Sequence, residues 1–332
     1  MDSNEFFAPA RPPVDDNLDD NPDGNVAGNS DESAGGGSVA VVVAAEEDGV
    51  AVDRATSDAA PAEPRPAKTP KSDRTPVWVD LLNPSSDEIH EIEKRFAIEV
   101  PTREEMQEIE LSSRLYDEDG VLFMTVSVLN KANTDEPETT AITFILVKKT
   151  LITLRYADPI PFKTFIRRVN RTAALASSAE TVLFGLLEQI VDRLADIMEQ
   201  STADLEGLSN IVFSSPDDPE YEGDHRAVLR RIGRAGNLSG KAKDSLLNLH
   251  RLGLFLSTQP RLKKDTKTRL KTISRDIVSI TEHANFIANK VTFLLDATLG
   301  MINLEQNNII KIFSVAAAAF LPPTLIASIY GM

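Results

Sequence analysis

Three patterns of hydrophobic spacing follow one another along the 332 residues. From Val77 to Tyr156 the apolar residues come in short β-branched runs bounded by turn residues, the signature of strands. "VWVDLLNP" (Val77 to Pro84) predicts a strand and turn, and "GVLFMTVSVLN" (Gly120 to Asn130) a longer strand. "TTAITFILVKKTLITLRY" (Thr139 to Tyr156) predicts two strands joined at Lys148-Lys149. Helical segments interleave: "SSDEIHEIEKRF" after a capping signal in "NPSSDE", the short "PTREEMQEIE", and "IPFKTFIRRVNR". These elements predict an α/β domain over residues 76–175. From about Ser178 the period changes to that of a helix. Val182, Leu183, Leu186, Leu187, Ile190, Leu194, Ile197 and Met198 open a helix running from Glu180 to Phe213. "SSPDDPEYEGD" breaks it, a second helix follows from His225 to about Leu256, and "STQP" breaks that one. Residues 176–260 therefore read as a pair of long antiparallel helices. A third helix begins near Leu262 and meets no strong breaker before Pro322. About 60 residues at 1.5 Å each make about 90 Å, too long for a compact core. It reads as a stalk over 261–311. The third pattern is the continuous one: residues 312–332 carry no charge.

Composition sharpens this division. The formal net charge is −16, and there is no cysteine. A disulfide framework, a thiolate zinc site and a cysteine nucleophile are excluded. The acidity argues against a nucleic-acid partner, which needs a basic surface. Residues 1–75 hold sixteen Asp and Glu against six Lys and Arg, and are rich in Gly, Ala, Pro and Ser. They predict a disordered acidic extension. Within it only "VAVVVAA" (Val39 to Ala45) is sticky enough to pair with an edge strand, and it reads as doing nothing specific. No signal peptide opens the chain. The four histidines show no metal-ligand spacing. "GNLSGKA" (Gly236 to Ala242) mimics a phosphate loop but is one residue short, lacks the Ser or Thr, and falls inside a predicted helix. No nucleophile–base pair or paired catalytic carboxylates are visible, so an enzyme is not expected.

The uncharged end has the length of a bilayer span, about 20 residues. A buried terminal helix of a soluble protein is the rival reading, but the stalk carries this segment away from any domain able to bury it. Lys311 stands at its start, with Lys263, Lys264, Lys267, Arg269, Lys271 and Arg275 on the same side, marking that side as cytoplasmic. Pro322 and Pro323 would break a helix in water but are tolerated in a membrane bundle. Ala316 to Ala319 allow close helix approach. Thr324 and Ser328 share a face that extends back through Leu321, Ala317, Phe313 and Ile310 to Asn307. A lone anchor needs no such stripe, whereas several copies around a pore could use one.

The residues of this end carry a resemblance. "EQNNIIKIFSVAAAAFLPPTLIASIYGM" resembles the first transmembrane helix of CorA-type magnesium/cobalt transporters, whose signature there reads Tyr-Gly-Met-Asn. "ITFILVKKTLITLRY" resembles the strand pair of that family's cytosolic domain, and "SRDIVSI" and "VTFLLDATLGMINLEQNNIIKIFS" resemble its stalk helix. The resemblance spans residues 76–332 and leaves the acidic extension outside. It implies a homopentameric funnel in the inner or plasma membrane, with a large cytoplasmic N-terminal portion and the long helix of each protomer lining a central pore. It implies magnesium, and with it cobalt or nickel, as transported ion, magnesium as regulatory ligand, and no organic cofactor.

Carried over by position, Tyr330, Gly331 and Met332 match the first part of the selectivity signature, Asn307 the asparagine ring near the cytosolic pore end, Ile310 and Phe313 the hydrophobic gate, and Thr324 a pore threonine. Ser328 joins them by its place on the Thr324 face. Asp296 falls where some members place an acid at the pore mouth. Asp276, in "SRDI", is a candidate for the regulatory metal site between neighbouring cytosolic domains. The plainer readings stand beside these: both aspartates as exposed helix residues, Asn307 as a polar helix residue, and the acids of "SSPDDPEYEGD" as a solvated turn rather than a cation attractor. The sequence stops one residue before the signature asparagine and before a second span. These 332 residues are therefore expected to insert in a membrane without conducting magnesium selectively. Zinc transport within the same superfamily and a non-transporting helical scaffold or fragment are the alternatives.

Overall fold

The computed structural model describes residues 39–46, 49–54, 75–108, 110–214 and 224–331. Its sheet is built around β3 (Trp78–Leu82), β4 (Leu115–Glu118), β5 (Val121–Asn130), β6 (Glu138–Val147) and β7 (Thr150–Arg155), with β1 (Val39–Glu46) and β2 (Gly49–Arg54) ahead of them. The order is β2-β1-β3-β7-β6-β5-β4, antiparallel throughout except for the parallel pair β3–β7. Two-residue turns set the register. Asp119 and Gly120 both take positive φ between Glu118 and Val121, as a tight hairpin turn requires, and Lys148 does so between Val147 and Thr150.

The alternation of the strands sorts side chains into two layers. Trp78, Leu122, Met124, Val126, Ile142, Phe144 and Leu151 are buried with the residues of α3 (Ile160–Val169) and of three longer helices described below. Val79, Leu81, Phe123, Ile145, Ile152 and Leu154 form a second core with Ile92 and Phe96 of α1 (Ser86–Phe96) and with Met106. Burial on both faces explains why β6 and β7 read as nearly continuous apolar runs. Helix α1 begins at a capping box, with the Glu88 amide donating to Ser85 Oγ and the Ser85 amide to Glu88 Oε2, and ends at Ala97 in the left-handed region.

A polar network crosses the β3–β7 pair. Arg155 forks onto the buried Asp80, with Nε to Oδ1 at 3.0 Å and Nη2 to Oδ2 at 2.7 Å. Thr153 donates to Asp80 Oδ1 at 2.6 Å and accepts from Trp78 Nε1 at 3.0 Å. Asp158 takes Arg155 Nη1 at 2.7 Å, and the guanidinium stacks 4.7 Å from the ring centre of Phe162 on α3. Burial works against the Arg155 charge, but the hydrogen bonds and charge of Asp80, with Asp158, outweigh it and hold its pKa above the ordinary guanidinium value.

Two sequence expectations change here. "PTREEMQEIE" forms a single 3-10 turn (Glu105–Gln107) and then the four-residue α2 (Leu111–Arg114) instead of one helix. Thr102 and Glu105 cap that turn reciprocally, which uses the helix-start signal on one turn only. Within the extension expected to be disordered, Val39–Arg54 forms the β1–β2 hairpin, and β1 pairs with β3 from Val39↔Leu82 to Val43↔Trp78. The free edge of β3 offers unpaired backbone groups, and a β-branched run satisfies them. The rest of the expected extension lies outside the described residues.

Three long helices complete the structure: α4 (Ala179–Phe213), α5 (His225–Thr258) and α6 (Lys264–Tyr330). Ser178 caps α4 and Asp224 caps α5 through their side chains. Contacts of α4 with α6 run in step: Glu188 with Arg269, Thr202 with His283, Phe213 with Phe293, so the two helices are parallel. Contacts of α5 run the other way, from Gly253 beside Ser274, through Ser239 with the Ala284 carbonyl, to His225 with Glu305. Helix α6 presents Leu270, Ile273, Ile277, Ala284, Ile287, Val291, Leu294 and Thr298 to this cover. The steps of three, four and seven are those of one helix face.

The buried fork yields a stability prediction. Arg155→Met alone should cost about 3–5 kcal/mol, because it leaves Asp80 an uncompensated buried charge; Asp80→Ala should cost less, because Asp158 still pairs with Arg155, and the double replacement should cost much less than Arg155→Met. Denaturant unfolding of the three variants checks this; equal losses for single and double changes would show that packing, not charge, dominates. Gly185 on α4 is a second test. A Cβ there would lie 2.4 Å from Phe165 Cε2, so Gly185→Ala should destabilise by about 1–3 kcal/mol through overpacking, readable as a lowered midpoint in the same assay.

Candidate functional site: the uncovered half of the long helix

Helix α6 has 67 residues, roughly 100 Å at 1.5 Å per residue. Its cover has 35 residues in α4 and 34 in α5. The cover therefore ends partway. Thr298 is the last buried position among the described side chains of α6, and Phe213 and His225 reach it at Phe293 and Glu305. Beyond that, Ile309, Ile310, Ile312, Phe313, Val315, Phe320, Leu321, Leu325, Ile326 and Ile329 all stand exposed, Phe313 by 71%. So large an apolar surface does not stay in water. A helix apolar on every side belongs in a protein core or a bilayer. By length and composition this end is able to cross a membrane, and none of its most apolar window is buried within the protein.

The helix runs unbroken through Pro322 and Pro323 to Tyr330. The two prolines leave the carbonyls four residues earlier, at Ala318 and Ala319, without amide donors. Thr324 Oγ1 donates to the neighbouring carbonyls of Phe320 and Leu321, both at 2.9 Å, and Ser314 Oγ donates to Ile310 at 2.8 Å. Each hydroxyl proton is thus turned into the helix, which leaves oxygen lone pairs outward as acceptors.

The residues singled out from the sequence fall in two places. Asn307, Ile310, Thr324 and Ser328 are exposed and lie on one face, with Phe313 at its margin, and Asp296 precedes Asn307 on that face by about three turns. Tyr330 is 87% exposed at the helix end, Gly331 follows it, and Met332 lies outside the described residues. Asp276 does not join them. It is exposed well around the helix from Asn307 and sits near Asp192 of α4. Partial burial raises the Asp192 pKa above the ordinary carboxylate value, and Glu188, Asp196 and Asp276 add like-charge repulsion. Among the described residues no group of three or more His, Cys, Asp or Glu side chains is arranged to hold a metal. Of the loop acids, Asp224 caps α5 by accepting from the Arg226 and Ala227 amides, and those at 217, 218, 220 and 222 lie outside the described residues.

Several contacts were not visible in the sequence. His225 Nε2 meets Glu305 Oε1 at 3.0 Å, two residues before Asn307, and His283 Nε2 meets Thr202 Oγ1 at 2.8 Å. Both histidines serve helix–helix contacts. The signal was the matched length of α4 and α5, which fixes neighbours once the helix directions are known. The mimic of a phosphate loop lies inside α5, with Ser239 and Ala242 buried.

A family model described as CorA-like Mg2+ transporter protein matches residues 73–332. The magnesium transport protein CorA of Salmonella typhimurium is 34% identical over 257 residues, covering 77% of this chain and 80% of that protein. CorA of Escherichia coli is 32% identical over 256 residues with the same coverage. The complete structure of the CorA magnesium transporter from Methanocaldococcus jannaschii superposes with a TM-score of 0.66 over 89% of this chain and 86% of that one, at 16% identity, a likeness of fold. An α/β domain followed by one very long, half-covered helix is thus shared architecture, and the chain belongs to the CorA-like Mg2+ transporter family.

Proposed function

We propose that this protein passes magnesium, with cobalt and nickel as lesser substrates, down its electrochemical gradient through a pore made by five copies of α6. The observation that carries this reading is the way α6 leaves its cover at Thr298 and presents Asn307, Ile310, Thr324 and Ser328 on one unpaired face. Five such faces around an axis make rings. The Asn307 ring offers neutral amide oxygens to a hydrated ion, which suits a cation that dehydrates reluctantly. Rings of Ile310 and Phe313 narrow and dry the path, acting as a gate. The lone pairs of Thr324 and Ser328 receive the ion's water further out, and Tyr330, Gly331 and Met332 form the outer mouth. Lys311 and the basic first turns of α6 support a cytoplasmic position for the α/β domain. Asp296 concentrates cations at the inner mouth.

Asp276 acts apart from the pore in this reading. With no complete metal cluster among the described residues of one chain, a regulatory magnesium there is shared with the neighbouring subunit. It relieves the repulsion among Asp192, Asp196 and Asp276.

Carried on through the signature asparagine and a second span, the protein expressed in a bacterium lacking its own magnesium uptake should restore growth at low magnesium. Asn307→Ala should cut uptake about tenfold or more at unchanged expression, and Ile310→Ser with Phe313→Ser should raise the resting leak. Growth rescue by zinc alone, without magnesium flux, would sink the assignment.

The acidic contact gives a second prediction. The folded protein holds the Asp192 pKa above its unfolded value, so ionisation costs stability: the cost sets in as the pH rises past the unfolded pKa, is complete above the folded one, and is gone only below the unfolded value. Asp192→Asn should therefore raise the melting temperature at pH 7, with the gain fading toward the acidic carboxylate range. Millimolar magnesium should stabilise the parent protein more than the variant. An equal magnesium effect in both would remove this cluster from the regulatory role.

A further inference from the structure

A cleft of about 380 Å³ opens at one end of the sheet, where β6 begins and the chain leaves β7. Its walls bring together Arg103, the Arg114 at the end of α2, Ser127 of β5, Thr139 and Thr140 of β6, and Tyr156. The volume lies in the range of small-molecule sites.

The charge in this cleft is out of balance. Arg114 is half-buried, yet all its partners are neutral oxygens: the Glu108 carbonyl, Ser127 Oγ at 3.3 Å and Asn248 Oδ1 of α5 at 3.1 Å. Its Nη2 makes no hydrogen bond among the described residues. Burial lowers the Arg114 pKa, and the nearby Arg251 cation lowers it further. Arg103 stands over the Tyr156 ring at 5.1 Å and makes no ion pair among the described residues. The one carboxylate on the cleft wall, Glu138, is already engaged by Lys131 at 3.3 Å and by the Asn130 amide at 3.0 Å. In a chain of net charge −16, a half-buried guanidinium ordinarily finds a carboxylate. Here Arg103 and Arg114 gather beside hydroxyl donors, and neither makes an ion pair among the described residues.

We propose that this cleft binds an organic phosphate of nucleotide size, with Arg114 and Arg103 holding its phosphate groups. The guanidinium fork matches phosphate oxygens in pairs, and Thr139 and Thr140 add hydroxyl donors at the rim. Two guanidinium groups without an ion-pair partner among the described residues favour a multiply charged phosphate over a single carboxylate. The site lies in the α/β domain and does not depend on the pore reading of α6.

The test uses the full chain in detergent, stripped of divalent cations, and calorimetric titration with the sodium salts of ATP and of inorganic phosphate. ATP should bind saturably at one site per chain and more tightly than inorganic phosphate. Arg114→Gln should weaken ATP binding about tenfold or more. Because that change also removes contacts to Ser127 and Asn248, Thr139→Glu provides a second arm. It sets a carboxylate on the exposed rim, leaves both arginines in place, and should weaken ATP binding to a similar degree while the melting temperature is kept. Absence of saturable ATP binding, or binding that survives Thr139→Glu unchanged, would overturn the site. Equal affinity for inorganic phosphate and ATP would overturn its assignment to an organic phosphate.

Discussion

How far α4 and α5 reach along α6 decides what the rest of the chain is able to do. A helix satisfies its own backbone, so its side chains alone determine where it is at ease. Along the first half, α6 offers one apolar stripe at helical spacing, and two helices of matching length cover it. Along the second half it is apolar all round and nothing among the described residues covers it. A strand in that position would expose unpaired amides, and a shorter α6 would end inside its cover. One helix whose two halves suit two different solvents is a simple device for tying the α/β domain rigidly to a segment able to cross a membrane.

That device needs a fixed base. The α4–α6 contacts keep a near-constant offset of 81 residues from Glu188–Arg269 to Thr202–His283, so the position of α4 sets that of α6. Helix α4 is seated in turn where Gly185 lets the Phe165 ring of α3 lie directly on its backbone. Helix α3 follows Arg155, whose buried fork to Asp80 locks the only parallel strand pair of the sheet. A buried ion pair is weak evidence for stability but effective at fixing one arrangement, because any other arrangement strands a charge. The chain from Asp80 to α6 is thus a series of contacts that tolerate little slippage.

Much of this was legible in the sequence, for identifiable reasons. Helix lengths followed from uninterrupted apolar periodicity between clear breakers. The β6–β7 hairpin followed from β-branched runs around two lysines. The uncharged end and the face from Asn307 to Ser328 followed from spacing alone. The β1–β2 hairpin was not legible, because its place depends on an empty edge of β3 that exists only after folding. "PTREEMQEIE" read as one short helix, but Thr102 and Glu105 cap only a single turn there. The arginine cleft was invisible because Arg103, Arg114 and Tyr156 are brought together by strand order, and nothing in their spacing announces it. The resemblance gave Asp276 and Asp296 different places. The turn of the helix separates them, one beside α4 and the other in line with Asn307.

On the proposed reading, that separation bears on what a cation would meet along α6. Full negative charges are confined to the stretch before the apolar segment, where water remains at hand. On the face that enters the apolar stretch the polar groups are neutral: the Asn307 amide first, then the Thr324 and Ser328 hydroxyls. A carboxylate among Ile312, Phe313 and Val315 would be costly in hydrocarbon and would hold a divalent ion too firmly to release it. Neutral oxygens avoid both problems. The Thr324 hydroxyl illustrates how the fold prepares them. Its proton is committed to the carbonyls of Phe320 and Leu321 beside the proline pair, so the oxygen can only accept. An acceptor-only oxygen is what the outward-pointing hydrogens of a hydrated cation require. On the proposed reading, the prolines that look like helix breakers in the sequence are part of what orients this group toward the path.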